Sequence, residues 1–181
     1  MKGVVFTEFF DMVEHSFSPE LAERIIDLAE LPNEGAYTSV GTYDSAEMVR
    51  LVTALSSETG TAVPDLLFAF GRYLLGRFAE EHGDYFSEAG SVFRLLEGIE
   101  DKIHRDVRKL YPDAELPRFD CHVPSDDRLV LDYSSPRGLA RLAEGLITAS
   151  IEHFDEPIAL TVEEQASDGT KVRFVLDRQA A

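Results

Sequence analysis

The residues with the widest chemical reach in this 181-residue chain are five histidines and one cysteine. His104 is the most informative of them. It lies within Ser91–Tyr111, SVFRLLEGIEDKIHRDVRKLY, where Val92, Leu96, Ile99, Ile103, Val107 and Leu110 form an apolar stripe at about 100° per residue on a helical wheel. His104 sits at the edge of that stripe. An imidazole there can face a cavity wall and ligate a metal, or it can be a half-exposed surface residue. A second constellation is Tyr133-Ser134-Ser135-Pro136-Arg137. Tyr133, Ser135 and Arg137 stand at i, i+2 and i+4 of an extended run and so share one side of the chain. Two hydroxyls and a guanidinium fork on one side can clamp a carboxylate or a phosphate. The plainer alternative is a tyrosine in the core and an arginine on the surface. Cys121-His122 is a poor metal pair, because neighbours in a strand point to opposite faces. His15, His82 and His153 stand at helix ends or in polar company, where they cap carbonyls or face solvent. No Ser-His-Asp order, Gly-rich phosphate loop or His-x-x-x-His pair stands out, so enzyme motifs are absent.

The totals narrow the partners. Lys and Arg number 17 against 34 Asp and Glu, a formal net charge of −17. Such a balance argues against nucleic acid and against an anionic membrane surface, since both call for cationic patches. It suits a solvated acidic surface or docking on a basic partner. One cysteine permits neither a disulfide framework nor a multi-Cys zinc site within the chain. The N-terminal MKGVVFTEFFDMVEH is broken by Glu8 and Asp11 and is no signal peptide. No apolar run is long enough to span a bilayer, so the expected location is the cytoplasm. The length favours one domain.

The elements that must position these residues read as follows. Lys2–Phe17 has helical spacing of Val5, Phe9, Met12, Val13 and Phe17. Ser18-Pro19 opens a second helix, stopped near Leu31 by Pro32. Asp44-Ser45 opens a third, closed at Gly60. Val63-Pro64-Asp65 opens a fourth that is apolar over most of its circumference and therefore buried. Gly71 and Gly76 within it each cost about 1 kcal/mol relative to Ala, which points to close packing, a bend or a nearby ligand. Gly83–Gly90 reads as a short linker, and Ser91–Tyr111 as one helix. Beyond Pro112 and Pro117 the period changes to alternation in Arg118–Pro124 and Arg128–Ser135, a hairpin about Ser125-Asp126-Asp127. Gly138–Phe154 is another helix. Pro157–Glu164 and Lys171–Leu176 form a second hairpin. Helices first, then a small antiparallel four-stranded sheet interrupted by a helix, is an α+β pattern.

Three features together resemble the haem nitric oxide/oxygen-binding (H-NOX) family, which includes bacterial stand-alone sensors and the regulatory domain of soluble guanylate cyclase. They are MKGVVF at the N-terminus, the His104 helix followed by VRKLYPDAELPRF, and the Tyr-x-Ser-x-Arg of Tyr133, Ser135 and Arg137. The resemblance covers essentially the whole chain. It implies a haem b held between a helical distal part, residues about 1–62, and a proximal part, residues about 63–181. It implies that His104 is the proximal ligand of the haem iron and that Tyr133, Ser135 and Arg137 hold the propionates. Pro117 would press on the porphyrin and distort it. Val5, Phe9, Leu74, Phe78, Leu142 and Leu146 would line the distal pocket, and Gly71 and Gly145 would be points at which helices flex.

One departure sharpens the expectation. Members that bind O₂ stably carry a tyrosine on the distal helix where this chain has Leu142. Bound O₂ gains negative charge on its outer oxygen and needs a donor, whereas NO needs far less. A charge-assisted hydrogen bond contributes about 1.5–3 kcal/mol, roughly ten- to a hundredfold in affinity. Tyr73 is turned about 100° from Leu74 on its helix and should face away. The expectation is therefore a sensor of NO, also binding CO, without a stable O₂ complex. It would not be an enzyme. Its signal would pass to a separate partner, in the bacterial family typically a histidine kinase or a cyclic-di-GMP enzyme. A haem-free interaction module on the same fold is the alternative. A peroxidase is weaker, since the apolar distal positions supply no acid–base group.

Overall fold

The helix starts follow from local chemistry. In the computed structural model, which describes residues 1–179, Ser18 Oγ accepts the Leu21 N–H at 3.2 Å and Pro19 takes the first helical position. Asp44 caps the third helix through the Ala46 N–H at 2.9 Å, and Gly60 ends it in the left-handed conformation at φ 72°. The elements in order are α1 Gly3–Ser16, α2 Pro19–Ala29, α3 Ser45–Thr59, α4 Val63–Glu81, α5 Gly83–Ala89, α6 Val92–Gly98, a π-helical segment Ile99–His104, α7 Arg105–Leu110, β1 Arg118–Ser125, β2 Arg128–Ser134, α8 Ala140–Phe154, β3 Ile158–Glu164 and β4 Lys171–Arg178. The strands form one antiparallel sheet in the order β1-β2-β4-β3. The α+β expectation holds.

Two readings change. Gly83–Gly90, expected as a linker, contains helix α5, because Phe86 is buried against Leu75, Leu95 and Ala149. That tertiary contact holds a helix too short to persist by propensity. Ser91–Tyr111 is not one α-helix but α6, a π segment and α7.

Two large apolar cores are joined by a smaller cluster of Leu75, Phe86, Leu95 and Ala149. The first joins α1 to α4 through Phe6, Phe9, Met48, Leu51, Leu55 and Phe70, each fully buried. The second lies between the sheet, α6 and α8, with Leu129, Leu131, Phe174 and Leu176 fully buried on alternate strand positions. Helix α8 serves both. Its Ala140, Ala143 and Ile147 face the sheet core, while Leu142 and Leu146 pack on the helical core. At the seam α8 crosses α4 so closely that a Cβ on Gly71 would stand 2.2 Å from the Leu142 carbonyl oxygen, and one on Gly145 would stand 2.2 Å from that of Phe68. Gly71 and Gly145 are thus packing glycines in this state. Gly76 meets nothing within 4 Å and has no such role.

Candidate functional site

Among the five histidines, His104 alone is buried, at 9% exposure; His15, His82, His122 and His153 are exposed. The π segment brings it inside. An i→i+5 turn holds one residue more than an α turn, which rotates everything downstream by roughly one residue, about 100°, on the wheel. His104 thereby takes the stripe position that Ile103 would hold in an undistorted helix. Leu110 takes the off-stripe position of Lys109, and it is 74% exposed although the α-period places it in the stripe. The stripe read from sequence is therefore correct up to Ile99 and out of phase beyond it.

The ring is fixed by polar contacts. His104 Nδ1 lies 2.9 Å from Glu100 Oε1. A carboxylate only accepts, so Nδ1 carries the proton and Nε2 keeps its lone pair for another partner. Glu100 Oε1 also accepts the backbone N–H of Phe119 at 3.1 Å, and Oε2 accepts from Arg108 at 3.2 Å. Burial pushes the His104 imidazole below its ordinary pKa, with Glu100 opposing. Burial also tends to raise the Glu100 carboxyl, but the hydrogen bonds from His104 and the Phe119 amide hold it below its ordinary value. The His104 ring stands 5.9 Å from that of Phe119, which stands 5.4 Å from that of Tyr133.

Tyr133, at the end of β2, and Ser135 are buried at 4% and 7% exposure. Burial raises the Tyr133 phenol, while Ser135, the Leu139 backbone and the Arg137 charge act to lower it. Ser135 Oγ accepts the Arg137 backbone N–H at 3.3 Å. The Arg137 side chain is only 12% exposed and donates to the Glu115 backbone oxygen at 2.7 Å and to its Oε2 at 3.2 Å. A carboxylate from an otherwise exposed side chain thus already occupies one arm of the fork, in the place an acidic ligand group would take. Pro117, two residues before Phe119 in the chain, is half-buried.

The six apolar positions expected to line a pocket gather on the helical core. Phe9 and Leu74 are buried within it, and Phe9 meets Phe70 edge-on at 5.2 Å. Val5, Phe78, Leu142 and Leu146 pack against it and remain half-buried. Cys121 is half-buried against the sheet core and His122 is exposed, on opposite faces of β1.

A haem fits this donor set. Its iron needs one protein nitrogen, because the porphyrin fills four positions, and Nε2 of His104 is a prepared lone pair. Among the described residues no group of three or more His, Cys, Asp or Glu converges as a bare-ion site. The haem carboxylates match two hydroxyls and a guanidinium. Sequence reasoning missed Glu100; its spacing from His104, i to i+4, with Arg108 another turn on, was the available signal.

The Haem-NO-binding family model matches residues 2–162. The chain belongs to the haem-NO-binding family. Domains of this H-NOX family bind haem and act as gas sensors rather than catalysts. The fold of this H-NOX chain is similar to that of the Fe(II) unliganded H-NOX protein from K. algicida, with TM-score 0.93, 35% identity and coverage of 100% of this chain and 98% of that one. It is also similar to the S. oneidensis H-NOX protein in its Fe(II)NO state, with TM-score 0.89, 27% identity and coverage of 99% and 100%. Among curated proteins it is similar to the soluble guanylate cyclases gcy-35 and gcy-33 of Caenorhabditis elegans, at 23% and 26% identity. These matches cover 93% and 76% of this chain. The chain spans 25% and 14% of those two proteins. Among the described residues no helix is long and apolar enough to cross a membrane.

Proposed function

We propose that this H-NOX domain is a nitric oxide sensor in which His104 holds the haem iron. The observation that carries the reading is the one buried histidine, its Nδ1 taken by Glu100 and its Nε2 left as a donor. Haem, held by His104, would supply an iron able to coordinate a diatomic gas. The chain's own residues do the rest. Tyr133, Ser135 and Arg137 would bind the propionates, Arg137 giving up its contact with the Glu115 carboxylate to do so. Pro117 presses on the ring. Val5, Phe9, Leu74, Phe78, Leu142 and Leu146 form a water-excluding distal wall. Leu142 supplies no hydrogen-bond donor, which favours NO and CO and denies O₂ the stabilisation it needs. Release of His104 would free the π segment from its restraint and let the part built on α1–α3 shift against the part that follows. That is a two-state change biased by ligand. The output is a signalling enzyme in the cytoplasm, a histidine kinase or a cyclic-di-GMP enzyme.

Visible absorption of the reduced protein tests this. The spectrum should be that of five-coordinate ferrous haem, should change on adding NO, and should give no reversible oxygenated form in air. Leu142→Tyr should introduce O₂ affinity. A wild-type protein that holds O₂ in air would contradict the selectivity.

A further inference from the structure

We propose that Glu100 and Arg108 together set the strength of the bond His104 makes to iron. The proposal rests on the reading of His104 as axial ligand and adds two positioning residues to it. Neither touches the iron; both act through the imidazole.

A carboxylate that accepts from a histidine N–H pulls on that proton and makes the opposite nitrogen a stronger electron donor. A bare carboxylate pulls hard. Glu100 is not bare. Oε1 accepts from His104 at 2.9 Å and from the Phe119 amide at 3.1 Å, and Oε2 accepts from Arg108 at 3.2 Å. Each further donor draws charge away from the bond to His104. The Phe119 amide belongs to β1, so its share is fixed by the sheet. The Arg108 side chain is 46% exposed at the surface of α7, so its share is adjustable. Glu100, His104 and Arg108 are spaced four apart along one helical rod, which stacks them on successive turns. The trio therefore grades the imidazole between a neutral donor and a strongly anionic one. A bond of intermediate strength suits a sensor, because it must form in the resting state and break when gas binds.

Opposite changes follow from the two ends of the trio. Glu100→Gln keeps a hydrogen-bond acceptor for His104 but removes its charge. The iron–histidine stretching frequency of the ferrous protein, read by resonance Raman, should fall and the reduction potential rise. Haem transfer to an excess of apomyoglobin should quicken by roughly tenfold or more, the usual scale for loss of an outer-shell partner. Arg108→Gln returns charge to Glu100 at an exposed site where folding is not at risk. Its stretching frequency should rise and its potential fall. A merely structural role would move neither frequency, or would move both variants the same way, and either result overturns the proposal. His104→Gly separates the two readings. If the iron–histidine band survives it, the ligand assignment itself is wrong. If the band vanishes while Glu100→Gln and Arg108→Gln do not shift it in opposite directions, His104 stands and this inference falls.

Discussion

At the scale of single residues, burial decides which side chains have chemistry to offer. His104 and the Tyr133–Arg137 clamp are inside; the other histidines are not. The clamp was expected from alternation along a strand, but β2 ends at Ser134 and Arg137 lies in the turn beyond it, where its backbone N–H donates to Ser135 Oγ. Glu100 was not, because an acid four residues before a histidine has the spacing of any exposed ion pair on a helix. Arg137 gives a direct test of the clamp. Arg137→Ala removes a charge-assisted partner and should weaken haem binding by roughly ten- to a hundredfold, measured as haem transfer to apomyoglobin; unchanged transfer would remove Arg137 from the site. Cys121 tests burial on the sheet. Burial pushes its thiol up to about 11 from an ordinary 9.0. A higher pKa means less thiolate at a given pH, so alkylation at pH 8 should run about a hundredfold slower than for a model thiol. Unfolding in urea should abolish the difference. A native rate equal to the unfolded one would contradict the packing.

At the scale of elements, caps and breakers placed most helices well, since Ser18-Pro19, Asp44 and Gly60 act locally. The π segment was invisible because an assumed period of 3.6 has no place for an extra residue. Its effect appears only as a phase slip that buries His104 and exposes Leu110. Helix α5 was missed because Phe86 anchors it through contacts distant in sequence. The glycines of α4 look alike in sequence and differ in space. Gly71→Ala would drive a Cβ against backbone atoms of α8 that cannot rotate away, and should cost about 1–3 kcal/mol. Gly76 is exposed with open space around it, and Gly76→Ala should stabilise by up to about 1 kcal/mol. Urea denaturation of the two variants checks the contrast; equal effects would mean that α4 and α8 are not in close contact.

At the scale of the whole molecule, the two cores meet at the α4–α8 seam, and a second tie joins them at the chain's beginning. Lys2 is 9% exposed, donates to the Val40 oxygen at 3.0 Å and Thr42 Oγ1 at 2.8 Å, and lies 4.4 Å over the Tyr111 ring. Thr42 in turn donates to Asp113 at 2.6 Å. The start of α1 is thus fastened to the segment that follows the His104 helix. Lys2→Met keeps the apolar stem and removes the ammonium. It should cost about 1–3 kcal/mol and speed amide exchange at Tyr111 and Asp113; unchanged exchange would show that the tie does not hold that segment. The α+β layout was legible from periodicity, but the meeting of its two cores was not, because it depends on which faces of α8 find partners. The proposed sensing depends on one bond, that from His104 to iron. Resonance Raman of the ferrous protein labelled with ¹⁵N-histidine should show an iron–histidine stretch that shifts with the label, disappears in His104→Gly and is replaced by an iron–imidazole band when imidazole is added. A band that persists unchanged in His104→Gly would contradict it.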